Sequence, residues 1–352
     1  MQLNLNNIDN YPLRIKKLLN SSPSFFYCRN NITDDDTGII DIPNGILIVT
    51  SDFINYRPAF FDLKCGDIYD YGYLVATANL SDLYGTGAKP YAFSVGIRLT
   101  KEHTYNDFQN FMKGVKKCCE ENKVPIIAGD TKIGNEICAF GTAIGHVKSH
   151  DSLFTRDNAK PGDIVCLSGN VGGFNCAVEA LNRKKRNYSS AKRKVLINAI
   201  TRPKLDRSLS LELSDKKIAS GGIDLSDGLG GDLCKLAQAS GVGIIIDAER
   251  IPIPGWVKAI AKQNKIPAWY YAFSTGGDFK FVFTAKEKDL RKITTPFYQI
   301  GVVTENKKLT LRLKDGGKIR LPGFGHSDTG FEGFMDEVSR SLVILEKSMR
   351  KK

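Results

Sequence analysis

The chain of 352 residues is 42% apolar and 25% charged, with 33 glycines and 13 prolines, a composition that excludes disordered and fibrous classes. That length predicts two domains, each able to bury a core without metal or disulfide staples. Fifty Lys plus Arg against 38 Asp plus Glu leave a net charge of +12, which favours anionic partners: nucleotide, phosphorylated metabolite, nucleic acid or acidic membrane surface. Residues 45–52, GILIVTSD, read as a buried strand ending in polar residues. GYLVATANLSDLYGTG follows with helix-like spacing, and AFSVGIRL (92–99) is a second strand. Over 104–122 the apolar set Phe108, Phe111, Met112, Val115 and Cys119 recurs at i, i+3, i+4, i+7 and i+11, which predicts an amphipathic helix with a charged outer face. PIIAGDT and ICAFGTAIGHV continue the strand pattern, so the first half is an alternating α/β domain.

Near residue 150 the texture changes, because HDSLFTRDNAKPGD is polar and carries a Pro-Gly turn before the apolar strand IVCLSG. The expected domains are therefore 1–150 and 151–352. The second offers GNVGGFNCAVEAL as loop into helix, GGIDLSDGLGGDLCKLAQASG as strand, loop and helix, and GIIIDAE and FKFVFTA as strands. Seven basic residues and no acid fall in 183–194. With Tyr188 as the lone interleaved aromatic, the segment reads as a solvated face rather than a nucleic-acid patch.

Eight cysteines occur without a Cys-x-x-Cys pair, and the N-terminus lacks the basic and apolar regions of a signal peptide. Both point to a reducing cytoplasm. No apolar run approaches the ~20 residues that span a membrane, and four histidines in no ligand-like spacing argue against zinc. A metal here is expected to be a hard cation on oxygen.

Aspartates stand after apolar strands or in tight small-residue loops at unusual frequency: Asp34, Asp35, Asp36, Asp52, Asp82, Asp130, Asp224, Asp227 and Asp278. One such residue is ordinarily a turn former or a helix cap. A set converging on one cleft would repel unless divalent cations neutralised it. Magnesium takes one or two carboxylates plus waters and phosphate oxygens, which suits a nucleotide triphosphate and phosphoryl transfer. Neither a P-loop nor a protein-kinase glycine loop is present.

In this order, DDDTGIIDIP, LIVTSD, GYLVATANLSDLYGTGAKP, AGDT, AKPGDIVCLSG, RPKL, IDLSDGLGGDLCKLAQASGVG, GGDFKFVFT and IGVV resemble the thiamine-monophosphate kinase family over about 34–328. The resemblance implies an α/β (α+β) two-domain fold of the aminoimidazole ribonucleotide synthase type. Its N-domain sheet would form a dimer barrel and its C-domain an α/β sandwich. It further implies a homodimer and ATP with Mg²⁺ as cofactors. The metal would sit on residues matching Asp36, Thr50, Ser51, Asp52, Asp82, Asp130, Asp224 and Asp227. Arg156, Ser226, Gly129 and Asp130 would hold the nucleotide, and Asp227 and Asp130 would be catalytic. The reaction implied is direct γ-phosphoryl transfer to thiamine monophosphate.

The acceptor half departs from the family pattern. Ala59 stands where a substrate-contacting histidine belongs, Gly277 at a substrate glutamate, Phe279 at a tyrosine and Lys280 at a second glutamate, while Phe324 keeps the C-terminal aromatic. Losing a carboxylate and gaining Lys280 is expected to favour a neutral or anionic acceptor. A same-fold kinase for a different small metabolite and a non-catalytic nucleotide-binding homologue are therefore the competing readings.

Overall fold

A computed structural model describes residues 37–54, 58–183, 188–273 and 276–321. Asp36, Phe324 and residues 184–187 of the basic segment lie outside the described residues.

The first sheet has the order β1-β2-β5-β3-β4. Its strands are β1 (Gly38–Ile42), β2 (Gly45–Ile54), β3 (Lys89–Leu99), β4 (Ile126–Ile133) and β5 (Cys138–Val147). β3 and β4 run parallel and every other neighbouring pair is antiparallel. In β2 alternate residues Ile46, Ile48 and Thr50 are buried, so one face of the strand meets the core, as its period of two requires.

After the single turn α1 (Ala59–Asp62) come α2 (Ile68–Gly85) and α3 (Tyr105–Asn122). Both open on capping boxes, Asp67 with Asp70 and Thr104 with Asp107, which satisfy first-turn N–H groups. α3 buries Phe111, Val115, Cys118 and Cys119, with Phe108 and Met112 packed at the margin. This is the stripe its spacing predicts. A Cβ on Gly72 of α2 would come 2.1 Å from the Phe111 carbonyl oxygen, and one on Gly114 of α3 would come 1.9 Å from that of Tyr69. Two hydrogen side chains thus let the helix backbones touch.

From Asp70 to its end α2 is buried on every side, the pattern of a helix enclosed by protein. It packs on β2, β3 and β5 of the first sheet and on β7 and β9 of the second.

The second sheet has seven strands, ordered β12-β11-β8-β10-β6-β9-β7. In chain order they are β6 (Ile164–Leu167), β7 (Gly222–Asp224), β8 (Gly243–Asp247), β9 (Phe281–Ala285), β10 (Tyr298–Thr304), β11 (Leu309–Arg312) and β12 (Lys318–Arg320). The helices of this half are α4 (Gly173–Asn182), α5 (Ser190–Thr201), α6 (Arg207–Asp215), α7 (Leu229–Ser240), α8 (Gly255–Asn264), α9 (Tyr270–Phe273) and α10 (Glu287–Leu290). Among the described residues no helix is long and apolar enough to cross a membrane, and the seven described cysteines are free thiols.

Candidate active site

The second half of α2 carries Asn79, Ser81 and Asp82, all buried, and buried polar groups require partners. Each has one from another element. Thr50 of β2 donates its hydroxyl to Asp82 Oδ2 at 2.5 Å. Ser81 donates to Asp224 Oδ2 at 2.9 Å, across the junction between the two sheets. Asn79 Oδ1 accepts the Asp52 N–H at 2.9 Å.

The last residue of α2 is a glycine whose Cβ would come 2.7 Å from the Asp224 amide nitrogen, so β7 lies directly on the helix end. Thr37, Asp82, Thr86, Arg156 and Asp224 line one small cleft there. Two carboxylates distant in sequence, each steadied by a hydroxyl, thereby share a cleft with a guanidinium.

Asp227 follows in the connection that opens α7. Its N–H donates to Asp232 Oδ2 at 2.9 Å, and its carboxylate receives the Lys235 ammonium. Lys235 also reaches Asp232 Oδ1 at 3.2 Å. Burial pushes the Asp232 carboxyl up to about 7, with Lys235 opposing the shift and Asp227 adding to it. Asp232 and Lys235 escape the sequence reading, although an acid and a lysine three apart on a helix are a recognisable pair. Ser226 is exposed beside Asp227.

Other expected site residues are not brought to this cleft. Ser51 points to the sheet face opposite Thr50, as strand alternation demands, and its hydroxyl shares a hydrogen bond of 2.7 Å with Thr142. Asp52 pairs with Gly141, whereas Gly96 pairs with both Phe140 and Asp130. Asp130 is thus three inter-strand spacings from Asp52, about 14 Å. The faces differ too. A Cβ on Gly141 would meet Asn79 of α2, and one on Gly96 would meet the Phe140 ring on the other side. Within one chain, Asp130 and its neighbour Gly129 stand apart from Asp82, with Asp130 exposed and 3.4 Å from Lys132.

The donors in the cleft are carboxylate and hydroxyl oxygens, the chemistry of a hard cation such as Mg²⁺. Among the described residues no three acidic, His or Cys groups lie close enough to enclose an ion by themselves. Phosphate oxygens or waters would have to complete the shell, as they ordinarily do for Mg²⁺. The residues present therefore fit a metal carried in with a polyphosphate.

At the expected acceptor wall, a Cβ on Gly276 would come 1.5 Å from the Ser226 carbonyl oxygen. Gly277 has φ +121° and faces the Phe174 ring, which a Cβ would approach to 2.5 Å. Glutamate has no room there. Asp278 is a cap: it accepts the N–H groups of Gly172 at 2.6 Å and Phe174 at 2.9 Å at the start of α4. Burial pushes its carboxyl up against the pull of those amides. The charge expected of Lys280 is compensated within the second half, because its ammonium lies 3.1 Å from Asp206 and 2.6 Å from the Lys204 carbonyl oxygen. Ala59 is half-buried at the first position of α1.

A wider cavity of about 770 Å³, lined by Phe61, Asp67, Glu102, His103, Asp107 and Glu136, sits at the N-terminal end of α2. Asp82 lies fourteen positions beyond Ile68, about 21 Å of helix, so the cavity is a different place from the carboxylate cleft.

Fold and cleft together define an AIR synthase related protein. The N-terminal domain model of that family matches residues 34–147 and the C-terminal domain model matches 160–314. Thiamine-monophosphate kinase of Pyrococcus horikoshii is 32% identical over 297 residues, which covers 84% of this chain and 90% of the relative. That of Aquifex aeolicus is 28% identical over 304 residues, covering 84% and 93%. The chain belongs to the thiamine-monophosphate kinase family, a family of ATP-dependent phosphotransferases. Among solved structures, AaThiL complexed with AMPPCP and TMP superposes with a TM-score of 0.77 at 24% identity, covering 92% of this chain and 99% of that one. A hydrogenase maturation protein, HypE in complex with ATP, shares the fold at 18% identity and a TM-score of 0.65, with 83% and 89% covered.

Proposed function

We propose that the protein transfers the γ-phosphoryl group of ATP directly to the phosphate of thiamine monophosphate, giving ADP and thiamine diphosphate. The observation that carries this reading is the meeting of Asp82, Asp224 and Arg156 in one cleft, in a chain 32% identical to a thiamine-monophosphate kinase.

Phosphoryl transfer asks a protein mainly for positioning and for charge opposite the phosphates. Thr50 and Ser81 hold the Asp82 and Asp224 carboxylates in fixed orientations, so the site spends little reorganisation when phosphates arrive. Arg156 supplies the planar cationic donor that suits phosphate oxygens. Mg²⁺ on Asp82, Asp224 and the Thr50 hydroxyl, with phosphate oxygens completing the shell, would neutralise the developing charge on the triphosphate, and Asp227 would take a separate metal ion. An acceptor phosphate oxygen attacks the γ-phosphorus in line as the bond to ADP breaks, and no side-chain nucleophile is required.

A second reading, a different small metabolite as acceptor, draws on Gly277. The Phe174 ring occupies the space where a substrate-binding glutamate would project, which puts an aromatic ring at that position. Thiamine monophosphate and a panel of other phosphorylated and amine-bearing acceptors, each incubated with ATP and Mg²⁺, separate the two readings. Thiamine diphosphate formation supports the first, and ADP release with another acceptor alone supports the second.

A further inference from the structure

The Asp227 carboxylate is not bare. The Lys235 ammonium rests on it and is tethered at the same time to Asp232 at 3.2 Å. Asp232 is fully buried, whereas the Lys235 and Asp227 side chains keep 29% and 28% of their exposure. The order of the three follows from the helix. Asp232 and Lys235 are three apart on α7 and share a face, and the lysine stem leans toward the helix N-terminus, where Asp227 lies. Asp232 also fixes the Asp227 backbone through its N–H at 2.9 Å. The lysine is therefore anchored at a buried carboxylate and ends on one that is partly exposed.

We infer that Lys235 is a positioning residue that acts as an internal counter-ion to Asp227, setting how strongly that carboxylate takes a divalent metal before nucleotide binds. The inference rests on the reading of Asp227 as a metal-binding residue. An ammonium and a divalent cation on one carboxylate repel each other, and at close range in a partly buried site that repulsion is large. Metal alone is then held weakly. Metal arriving with a polyphosphate brings negative charge that offsets the lysine, so binding of the two becomes coupled. Asp232 divides the ammonium between two carboxylates and so limits how far Lys235 screens Asp227.

The two residues consequently predict opposite effects. Binding of Mn²⁺, a paramagnetic substitute for Mg²⁺, to the full-length protein is measured by electron paramagnetic resonance with and without AMPPCP. Lys235→Met should tighten Mn²⁺ binding in the absence of nucleotide by about tenfold or more and shrink the gain that AMPPCP confers. Asp232→Asn should weaken Mn²⁺ binding by a few-fold, since the ammonium then settles wholly on Asp227. Lys235→Arg should restore the wild-type value. Circular dichroism and thermal melts confirm that each variant is folded. Weaker Mn²⁺ binding in both Lys235→Met and Asp232→Asn would mean a purely structural role and overturn the inference, as would unchanged affinity in folded Lys235→Met. Formation of thiamine diphosphate by the wild-type protein is scored separately, so loss of the counter-ion inference and loss of the kinase reading give different results.

Discussion

Ser81 and Asp224 join the two sheets through one hydrogen bond of 2.9 Å between buried side chains. Ser81 belongs to the helix that both sheets share, and Asp224 ends the edge strand β7. The bond therefore sets the width of the cleft as well as the direction of the carboxylate. Ser81→Ala leaves Asp224 short of a donor, which costs about 1.5–3 kcal/mol for a charge-assisted bond. The melting temperature should fall, and KM for ATP should rise several-fold while kcat changes less. Thermal melts and initial-rate kinetics check both.

Gly276 marks a close backbone approach at the expected acceptor wall. Its missing Cβ would stand 1.5 Å from the Ser226 carbonyl oxygen, a contact with backbone that no rotamer change relieves. Gly276→Ala should push the acceptor loop away from the Ser226–Asp227 turn, costing about 1–3 kcal/mol of stability and lowering kcat/KM more than tenfold. Steady-state kinetics on the folded variant test this, and activity equal to wild type would show that the approach is not needed.

Much of this architecture is legible in the sequence because it rests on local period. The amphipathic stripe of α3 and the alternation of β2 need no long-range information, and the small-residue settings of Asp82 and Asp224 mark both as unusual. What is hidden depends on residues far apart. Lys280 reads as a charge added to the acceptor pocket, yet it is neutralised by Asp206, 74 positions earlier. Ser51 reads as a neighbour of Thr50 in one donor set, but a strand sends consecutive side chains to opposite faces. Asp130 resembles Asp52 and Asp82 in context, and only the strand order places it three strands away from Asp52. Asp232 looks like a first-turn helix acid, and its burial beneath Asp227 follows from the tertiary packing of α7.

Acid stability should report on a pair far from the cleft. Arg312 of β11 donates two hydrogen bonds to Asp247 of β8 and holds that carboxyl below its ordinary value. A depressed folded value contributes stability above the unfolded value, about 3.9, and loses it as pH falls through the folded one. Melting temperature should therefore decline below about pH 4 in the wild-type protein. Arg312→Met should start lower at neutral pH and decline less steeply over the same range. Melts from pH 7 to pH 2 compare the two slopes.

The outer face of the first sheet predicts an assembly. Phe53 and Phe140 are 70% and 40% exposed, with ring centroids 5.3 Å apart on neighbouring strands. Leu47, Val49 and Ile144 extend the same apolar face, half-buried. A patch of this kind on a sheet marks an interaction surface, and a second copy of the chain is the proposed occupant. Sedimentation velocity should give twice the chain mass, and Phe53→Glu should shift the population toward monomer.

On the proposed reading, Asp82 and Asp224 hold Mg²⁺, and through it the phosphates, for transfer from ATP to thiamine monophosphate. Its most direct test is the rate of thiamine diphosphate formation, followed by chromatography, in the wild-type protein and in the near-isosteric Asp82→Asn variant. That reading predicts equal amounts of ADP and thiamine diphosphate from the wild-type protein. It also predicts a rate at least about a hundredfold lower in folded Asp82→Asn, the scale of losing one electrostatic contact to the transition state. Thiamine diphosphate formed at the wild-type rate by folded Asp82→Asn would contradict it.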